Sequence, residues 1–379
     1  MVTRKLHALL KNQKKSVLLL GPRQVGKSTL LKALKPDLVI NLAREREFLD
    51  HTVHPELLEE LIRGANAQLV MVDEVQRIPS ILNTIQAVID ESKIKFLISG
   101  SSARKLKRGQ ANLLPGRLVS YTMGGLSGLE LEGNLNLKRS LIYGFLPEVF
   151  LEKNTSQAAD ILSTYAGVYL KEEIQAELLV RNIQGFSRFL ASFSEYSGKI
   201  LDLSKVSSKA KVSRTGAFRF LEILEETLLI IRCESFQEAS EADTVSHPRY
   251  YFFDPGVLNG LLGGFSLSKD RTGLLFEHAV IAQIQNTASA SHTPIELFYF
   301  RTRNGLEVDF LLRTKGKLWA IEAKYGQVAP EDSKSLEAFR KYFPAVDELV
   351  VVVPEGLPRK LRSGVRILSL SGLLEKLFV

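Results

Sequence analysis

The chain has 379 residues, 45% hydrophobic and 24% charged, which excludes a disordered chain and predicts roughly two or three globular domains. The formal net charge of +8 favours a polyanionic partner such as DNA. One cysteine, Cys233, excludes an internal disulfide, and no apolar run approaches the ~20 residues of a membrane span, so we expect a cytoplasmic protein without membrane contact.

The first predicted strand ends at a phosphate-binding loop. Residues 16–20 are apolar and typical of a buried parallel strand, and a complete Walker A pattern follows at once. Its glycines allow turns that direct backbone amides to phosphate, at the start of a helix. We expect Lys27 to contact the β- and γ-phosphates of ATP and Ser28 to bind Mg²⁺. The predicted nucleotide-binding residues here are Gly21, Pro22, Arg23, Gln24, Val25, Gly26, Lys27, Ser28 and Thr29.

A second predicted strand, at residues 69–72, carries two carboxylates at its end. Asp73 and Glu74 lie where open α/β sheets place their ligands, and they form a Walker B pair. We expect Asp73 to hold Mg²⁺, directly or through water, and Glu74 to orient or activate the attacking water. The two Walker motifs together predict a chain that binds and hydrolyses ATP.

Two more candidates for the ATP site follow later strands. Hydroxyl residues follow the strand predicted at 95–98, and we select Ser101 to sense the γ-phosphate or position water, with Ser99 nearly equal. After a basic helix predicted at 103–108, Arg117 precedes another strand. It is a candidate arginine finger for the ATP of a neighbouring subunit, and the alternative is an exposed arginine at the end of a loop.

The middle of the chain is predicted to be mostly helical. From Leu135 to about Ile183, apolar residues recur at spacings of three and four, which suits a helical lid. A recognition helix capped by Ser213 and a strand at 228–231 are typical of a winged helix.

The predicted winged helix carries a basic segment. Six basic residues accompany a single acid, Asp202, which favours contact with DNA phosphates. A protein interface or a solvated charged surface are the alternatives. The six residues are Lys199, Lys205, Lys209, Lys211, Arg214 and Arg219.

A group of carboxylates and one lysine is predicted near the C-terminus. Glu277 lies on an amphipathic helix predicted at 274–284, with His278 expected on the surface of that helix. Asn304 and Gly305 predict a hairpin turn, after which Asp309 lies on one strand. On the next strand, alternation places Glu322 and Lys324 on one face, towards Asp309.

This pattern of an acid followed by Glu-x-Lys resembles the PD-(D/E)xK nuclease fold. The resemblance implies that Asp309 and Glu322 bind Mg²⁺ with help from Glu277, and that Lys324 positions or activates the water that attacks a phosphodiester. The alternative is a buried ion-pair network in a version of the fold that does not cut but still binds DNA.

The order of Walker A, Walker B, residues 99–104 (Ser-Gly-Ser-Ser-Ala-Arg) and residues 115–117 (Pro-Gly-Arg) resembles prokaryotic AAA-family ATPases that carry a C-terminal domain of unassigned function. The resemblance covers nearly the whole chain and implies an α/β fold with four parts. These are a P-loop AAA+ core at 1–133, a helical lid at 134–184, a winged helix at 185–255 and a restriction-endonuclease-like domain at 256–379. No second sensor arginine is evident in the lid, so that role stays unassigned.

The preferred interpretation is a AAA+ protein that hydrolyses ATP and acts on DNA by binding, remodelling or translocation, with Mg²⁺-dependent cleavage by its last domain. ATP and Mg²⁺ are the expected cofactors. DNA and further copies of the chain, arranged as in a hexameric ring, are the expected partners. One alternative is an ATP-dependent switch that binds a protein partner and has a silent nuclease-like domain. Another is a toxin or defence component whose cleavage depends on both Lys27 and Asp309.

Overall fold

The computed structural model of the chain describes residues 2–101, 116–131, 133–169, 182–238 and 243–379. It contains two compact units. Both combine helices with a sheet, so the fold is mixed α/β, as predicted. The first unit comprises Met1–Gly124, Glu226–Leu228 and Ser289–His292, and the second comprises Gly125–Glu225, Leu229–Ala288 and Thr293–Val379.

A parallel five-stranded sheet forms the centre of the first unit. Its strands are β1 (Ser16–Leu20), β2 (Leu38–Asn41), β3 (Leu69–Asp73), β4 (Lys95–Gly100) and β5 (Leu118–Thr122). Their order is β2-β3-β4-β1-β5, and every neighbouring pair is parallel. Because the strands are parallel, the ends of β1, β3 and β4 lie at one edge of the sheet, which is where the two Walker motifs follow. The strands predicted from the sequence in this unit are confirmed, whereas the basic helix predicted at 103–108 lies outside the described residues.

Helices cover the sheet of the first unit. They are α1 (Leu6–Asn12), α2 (Lys27–Lys32), α3 (Glu45–Val53), α4 (Leu57–Ala65) and α5 (Ile81–Glu91). Helices α4 and α5 place apolar residues four positions apart, such as Leu58 with Ile62 and Ile81 with Ile85, against the apolar strands. Burial of one such side chain contributes about 1.5–3 kcal/mol, so this core holds the strand ends of the site in place.

Helices lie before, between and after the strands of the second unit. They are α6 (Leu137–Tyr143), α7 (Pro147–Leu151), α8 (Thr155–Thr164), a π-helical turn (Tyr165–Tyr169), α9 (Ile183–Ser194), α10 (Leu203–Ala210), α11 (Arg214–Glu226), α12 (Pro255–Leu262), α13 (Lys269–Ala290), α14 (Lys334–Tyr342) and α15 (Leu370–Phe378). The predicted recognition helix is α11, and Ser213 Oγ accepts a hydrogen bond from Gly216 N (3.0 Å) in its first turn. The strand expected at 228–231 begins only at Ile230, because Leu228 has a φ of 60° and cannot continue a strand.

A mixed eight-stranded sheet forms the rest of the second unit. Its strands are β6 (Ile230–Ser235), β7 (Arg249–Phe252), β8 (Glu296–Arg301), β9 (Glu307–Thr314), β10 (Lys317–Ala323), β11 (Glu348–Val353), β12 (Arg359–Lys360) and β13 (Arg366–Ser369). The order is β12-β13-β11-β10-β9-β8-β6-β7. The β8–β9 hairpin is confirmed, and Gly305 in its turn has a φ of 94°. Strand β6 pairs in parallel with β8, so the limit predicted between residues 255 and 256 falls within one continuous sheet.

Helix α13 is surrounded by apolar side chains on most of its circumference. His278, expected on its surface, is fully buried, so that prediction is wrong. Its Nε2 lies 2.7 Å from Ser197 Oγ, its Nδ1 lies 2.8 Å from Leu274 O, and burial lowers its pKa to about 4. Neither α13 nor any other helix in the described ranges is long and apolar enough to cross a membrane.

Candidate functional site

The Walker A residues form the loop between β1 and α2. Gly26 and Gln24 have φ values of 97° and 62°, and the left-handed backbone that glycine adopts freely is strained at Gln24. A Cβ atom on Gly21 would lie 2.2 Å from the carbonyl oxygen of Met123. Each Walker A glycine thus stands where the loop needs one, at a left-handed turn or at a close backbone contact.

The remaining loop residues differ in exposure. Val25 is fully buried, and its carbonyl accepts a hydrogen bond from Arg4 Nη1 (2.8 Å), which ties the loop to the start of the chain. Arg23 is half-buried, and Thr29 is exposed on α2. Pro22 is buried beside the lysine of the motif. A phosphate group in this loop would therefore meet mainly the backbone and Lys27.

Lys27 is enclosed by the loop. Its side chain is 5% exposed, and Nζ donates to Gly21 O (2.7 Å) and Pro22 O (2.8 Å). These carbonyls hold the ammonium group inside the turn that would surround a phosphate. Phosphate oxygens are acceptors of the same kind with a full negative charge, so they can replace the carbonyls as partners of Lys27.

The predicted magnesium ligands lie together. Ser28 Oγ donates to Asp73 Oδ1 (2.9 Å), and Ser99 Oγ donates to the same carboxylate oxygen. Ser99 Oγ also accepts a hydrogen bond from Glu74 N (3.2 Å). A hydroxyl and a carboxylate at one point are oxygen donors of the type that Mg²⁺ prefers, so these residues fit the ion. The hydrogen bond from Ser28 to Asp73 thus joins Walker A to Walker B.

Glu74 and Ser101 are linked by a residue that the sequence did not reveal. Gln76 is 4% exposed, and its Nε2 donates to Glu74 Oε2 (2.5 Å) and to Ser101 Oγ (2.8 Å). Glu74 itself has a φ of 59°, which turns the chain sharply after β3. An amide two residues beyond a Walker B carboxylate, in the turn directly after β3, was the available signal for Gln76.

Arg117 is paired within its own unit. Its Nε lies 2.5 Å from Asp90 Oδ1 and its Nη2 lies 2.9 Å from Asp90 Oδ2, a two-point contact that lowers the pKa of Asp90. Both side chains are partly exposed. The pair would have to separate before Arg117 could contact a phosphate elsewhere.

The C-terminal group is assembled from β9, β10 and α13. Asp309 Oδ2 accepts from Ala323 N (2.9 Å), and Lys324 Nζ lies 3.6 Å from Glu322 Oε2. Tyr251 donates to Glu277 Oε1 (2.6 Å). Two further contacts involve Glu322 Oε1 with Ser335 Oγ (2.8 Å) and Lys324 Nζ with Asp332 Oδ1 (3.8 Å). Sequence reasoning missed Tyr251 and Ser335, which come from distant parts of the chain and carry no local signal.

These carboxyl groups are buried close enough to affect one another. Burial, with a smaller contribution from Asp309, raises the pKa of Glu277 to about 8 and that of Glu322 well above its ordinary value. Burial also raises the pKa of Asp309. In the described ranges, no three Asp, Glu, His or Cys side chains are already arranged to hold a metal ion. The donor chemistry fits Mg²⁺, but binding requires these carboxyls to lose protons and to move together.

The comparison with protein families assigns the first part of the chain. Residues 13–132 match the family described as an AAA domain (AAA_14). This stretch is an AAA-type P-loop ATPase domain. Beyond the ATPase domain, residues 134–268 and 272–373 match two families, each described as a domain of unknown function (DUF8612 and DUF4143). No curated protein is similar enough in sequence to count as a match.

Several solved structures are distantly similar to the chain. AMPPCP-bound DnaA from Aquifex aeolicus has 13% identity and a TM-score of 0.28, over 59% of this chain and 85% of its own. A Pif1 helicase at forked double-stranded DNA has 16% identity and a TM-score of 0.24, over 43% and 51%. A signal transduction ATPase with a tetratricopeptide repeat sensor, from Pyrococcus horikoshii, has 15% identity and a TM-score of 0.26, over 77% and 47%. The ATPase domain is assigned by the family match and not by these similarities.

Proposed function

We propose that the chain binds ATP with Mg²⁺, hydrolyses it and uses the reaction to act on DNA. The observation that carries the proposal is the contact of Ser28 with Asp73 beside the enclosed Lys27. It joins the Walker A and Walker B groups at the place where a nucleotide–magnesium complex needs both.

In this proposal, different residues bind the phosphates, hold the metal and orient the attacking water. Backbone amides of the Walker A loop and Lys27 bind the phosphates, while Ser28 and Asp73 hold the metal. When bound, Mg²⁺ offsets the negative charge that develops on the phosphates. Glu74, held by Gln76, orients the attacking water, and Ser101 lies on the other side of that amide.

The DNA part of the proposal rests on the second unit. The basic segment around α10 and α11 supplies charge for phosphates, and Asp309, Glu322, Glu277 and Lys324 supply the groups of a Mg²⁺-dependent phosphodiester-cleaving site. In this proposal the chain works in the cytoplasm as an oligomer, with Arg117 acting on the ATP of a neighbouring copy.

One observation favours a second candidate function. Lys324 forms ion pairs with both Glu322 and Asp332, which is typical of a structural ion-pair network. In this alternative the nuclease-like site is silent, and the chain is an ATP-dependent switch that binds a protein partner.

The test uses purified chain with plasmid DNA, Mg²⁺ and ATP. Lys27→Ala should lower ATP hydrolysis about 100-fold or more, whereas Lys32→Ala, an exposed lysine on α2, should not. Absence of hydrolysis in the unaltered protein contradicts the proposal. Stimulation of hydrolysis by DNA supports the DNA role, and nicking lost in Asp309→Ala and Lys324→Ala but kept in the exposed-site control Asp270→Ala supports cleavage. Hydrolysis with neither effect favours the switch.

A further inference from the structure

A groove lies beside α11 in the second unit. Its volume is about 490 Å³, and α11 contributes Arg214, Phe218 and Leu221 to its wall. Residues 214, 218 and 221 follow the spacing of one helical face, so the wall is a continuous stripe along α11. Strand β7 contributes Tyr250 and β6 contributes Arg232 to the lining of the groove. The groove is therefore lined by apolar and aromatic groups with cationic groups at its edges.

Phe218 is unusual among the residues of the groove because it is 51% exposed. Single exposed apolar residues are common on proteins and need no ligand. Phe218 differs because it lines a groove that is also lined by Leu201, Leu221 and Pro248. An aromatic ring beside an apolar cleft of this size provides a stacking surface for another flat ring.

The cations near the groove divide into two groups. Lys205 pairs with Asp202 (3.5 Å) and Lys209 pairs with Glu195 (2.5 Å), and Arg232 is matched by two glutamates. Their positive charges are thus partly offset by carboxylates of the chain itself. They contribute little to binding an anion.

The second group of cations carries no such offset. Lys211, Arg214 and Arg219 are exposed, and none forms an ion pair with a carboxylate in the described part of the chain. Lys211 lies just before α11, and Arg214 and Arg219 lie in its first two turns, so all three are near Phe218 along the chain. Of the three, Arg214 lines the groove. Unmatched cations on the segment that carries an exposed aromatic ring favour a ligand that is both anionic and flat.

We propose that this groove binds single-stranded DNA, with one unpaired base stacked on Phe218 and the adjacent phosphates bound by Arg214, Arg219 and Lys211. A base in a duplex is already stacked between its neighbours, so it cannot enter the groove unless the strands separate. The inference rests on the proposed function for the choice of DNA, and it adds which form of DNA is bound and which residues bind it.

The test measures fluorescence anisotropy of a labelled oligothymidine of about 20 nucleotides in EDTA, which prevents cleavage. Phe218→Leu keeps an apolar side chain but removes the ring, and it should weaken binding about 5- to 100-fold without changing the salt dependence. Phe218→Tyr keeps the ring and should bind like the unaltered protein. Equal melting temperatures of these variants show that folding is unaffected, as expected for an exposed position.

The contribution of the arginines to binding is measured separately, by the dependence of affinity on salt concentration. Arg214→Gln combined with Arg219→Gln should reduce the slope of log affinity against log salt by about 1.4, from about 0.7 for each lost phosphate contact on a single strand. The matched control is Arg359→Gln with Arg362→Gln, two exposed arginines of the same unit, which should leave the slope unchanged.

Three outcomes overturn the inference. Phe218→Leu binding as tightly as the unaltered protein removes the stacking role, and equal salt slopes for the two arginine double variants remove the phosphate role. A duplex of the same length that binds more tightly than the single strand removes the choice of ligand. In all three outcomes DNA still binds, so the proposed function survives. If the unaltered protein binds no DNA at all, the DNA part of the proposed function fails, and the inference fails with it.

Discussion

Ser99 and Ser101 leave the end of the same strand, yet they contact different parts of the ATP site. Ser99 donates to Asp73, the proposed Mg²⁺ ligand, whereas Ser101 accepts from Gln76, which also donates to Glu74, the residue proposed to orient water. A substitution at the end of β4 can therefore alter the hydrogen bonds of both Asp73 and Glu74. Because Gln76 is buried and bonded to Glu74 and Ser101 together, it fixes the position of the group proposed to orient water.

Gln76→Leu should lower kcat for ATP hydrolysis about 10- to 100-fold, because the leucine leaves Glu74 without its donor. The affinity for ATP should change little, since the hydrogen bonds of Gln76 Nε2 go to Glu74 and Ser101 and not to the Walker A loop. Steady-state kinetics and calorimetric titration with a non-hydrolysable analogue measure the two effects. Gln68→Leu makes the same chemical change at an exposed position and should be silent. An equal loss of affinity and kcat in Gln76→Leu would show a general structural role instead.

Glu277 predicts an unusual dependence of stability on pH. Its pKa rises from 4.5 to about 8 on folding, so the folded state holds a proton that the unfolded state has released between these values. The free energy of unfolding should therefore fall as pH rises through this window, by about 1.4 kcal/mol per pH unit for one proton. Glu277→Gln should flatten the decline. The single tryptophan, Trp319, is buried in β10 and reports unfolding of this unit by fluorescence.

The measurement is urea unfolding in EDTA at several pH values between 5 and 8. Glu355→Gln, at an exposed carboxylate, is the control and should keep the slope of the unaltered protein. Mg²⁺ binds deprotonated carboxylates, so adding it should stabilise this unit more at pH 8 than at pH 6. A slope unaffected by Glu277→Gln would contradict this assignment and would show that other groups with raised pKa values, such as Asp254 or Glu322, cause the decline.

The sequence could bring the residues of the candidate ATP site together because their order along the chain is fixed by a loop and two strand ends. Walker A and Walker B are local patterns, and the contact of Ser28 with Asp73 follows once both are placed at one sheet edge. Tyr251 beside Glu277 could not be predicted in this way. Its partner lies on another element, and only the folded chain brings the two together.

At the scale of elements, the position of the Walker A loop depends on the segment after β5. Gly21→Ala places a methyl group 2.2 Å from Met123 O, a backbone atom that cannot move aside without shifting β5. We expect the affinity for ATP to fall more than about 10-fold and the first unit to melt at a lower temperature. Gly64→Ala is the control, because its Cβ would meet no atom within 4 Å on α4. It should leave binding unchanged and stabilise the helix by about 0.5–1 kcal/mol. Equal effects of both substitutions would remove the backbone contact as the cause.

The sequence was a better guide to strands than to the faces of helices. Buried parallel strands are short apolar runs, so β1, β3 and β4 were found from composition alone. Helix α13 looked amphipathic, yet it is covered on most sides by strands and helices from both ends of its unit. His278 was misplaced for that reason. The left-handed Leu228 was likewise invisible, because leucine rarely adopts this conformation.

At the scale of the whole chain, the division differs from the one that the sequence motifs outline. The hairpin β6–β7 of the predicted winged helix pairs in parallel with β8, through Glu234 with Phe298 and Ser235 with Tyr299. Partners separated by more than sixty residues leave no periodic signal in the sequence. Most of helices α10 and α11 and the carboxylate group are parts of one unit, so the proposed DNA-binding residues of α11 and the proposed cleavage group near Lys324 would belong to the same compact unit.

Mixing variants of Lys27 and Arg117 tests whether copies of the chain act on one another. Lys27→Ala and Arg117→Ala should each be nearly inactive alone. In a random equal mixture, an intact Walker A loop meets a neighbour with an intact arginine in about a quarter of the contacts, so about a quarter of the original ATP hydrolysis should return. The restored activity should rise with protein concentration, because it depends on association.

The control follows from the ion pair of Arg117 with Asp90. If Arg117 only supports α5 through this pair, Asp90→Ala should reproduce the loss seen in Arg117→Ala, and mixing with Lys27→Ala should restore nothing. If Arg117 acts between copies, Asp90→Ala should keep most of the activity, because releasing the guanidinium from Asp90 removes a competing partner. Since the pair is partly exposed, breaking it should change the melting temperature little in either case. A large loss of activity in Asp90→Ala with an unchanged melting temperature would therefore point to the pair itself, and not to an arginine donated across an interface.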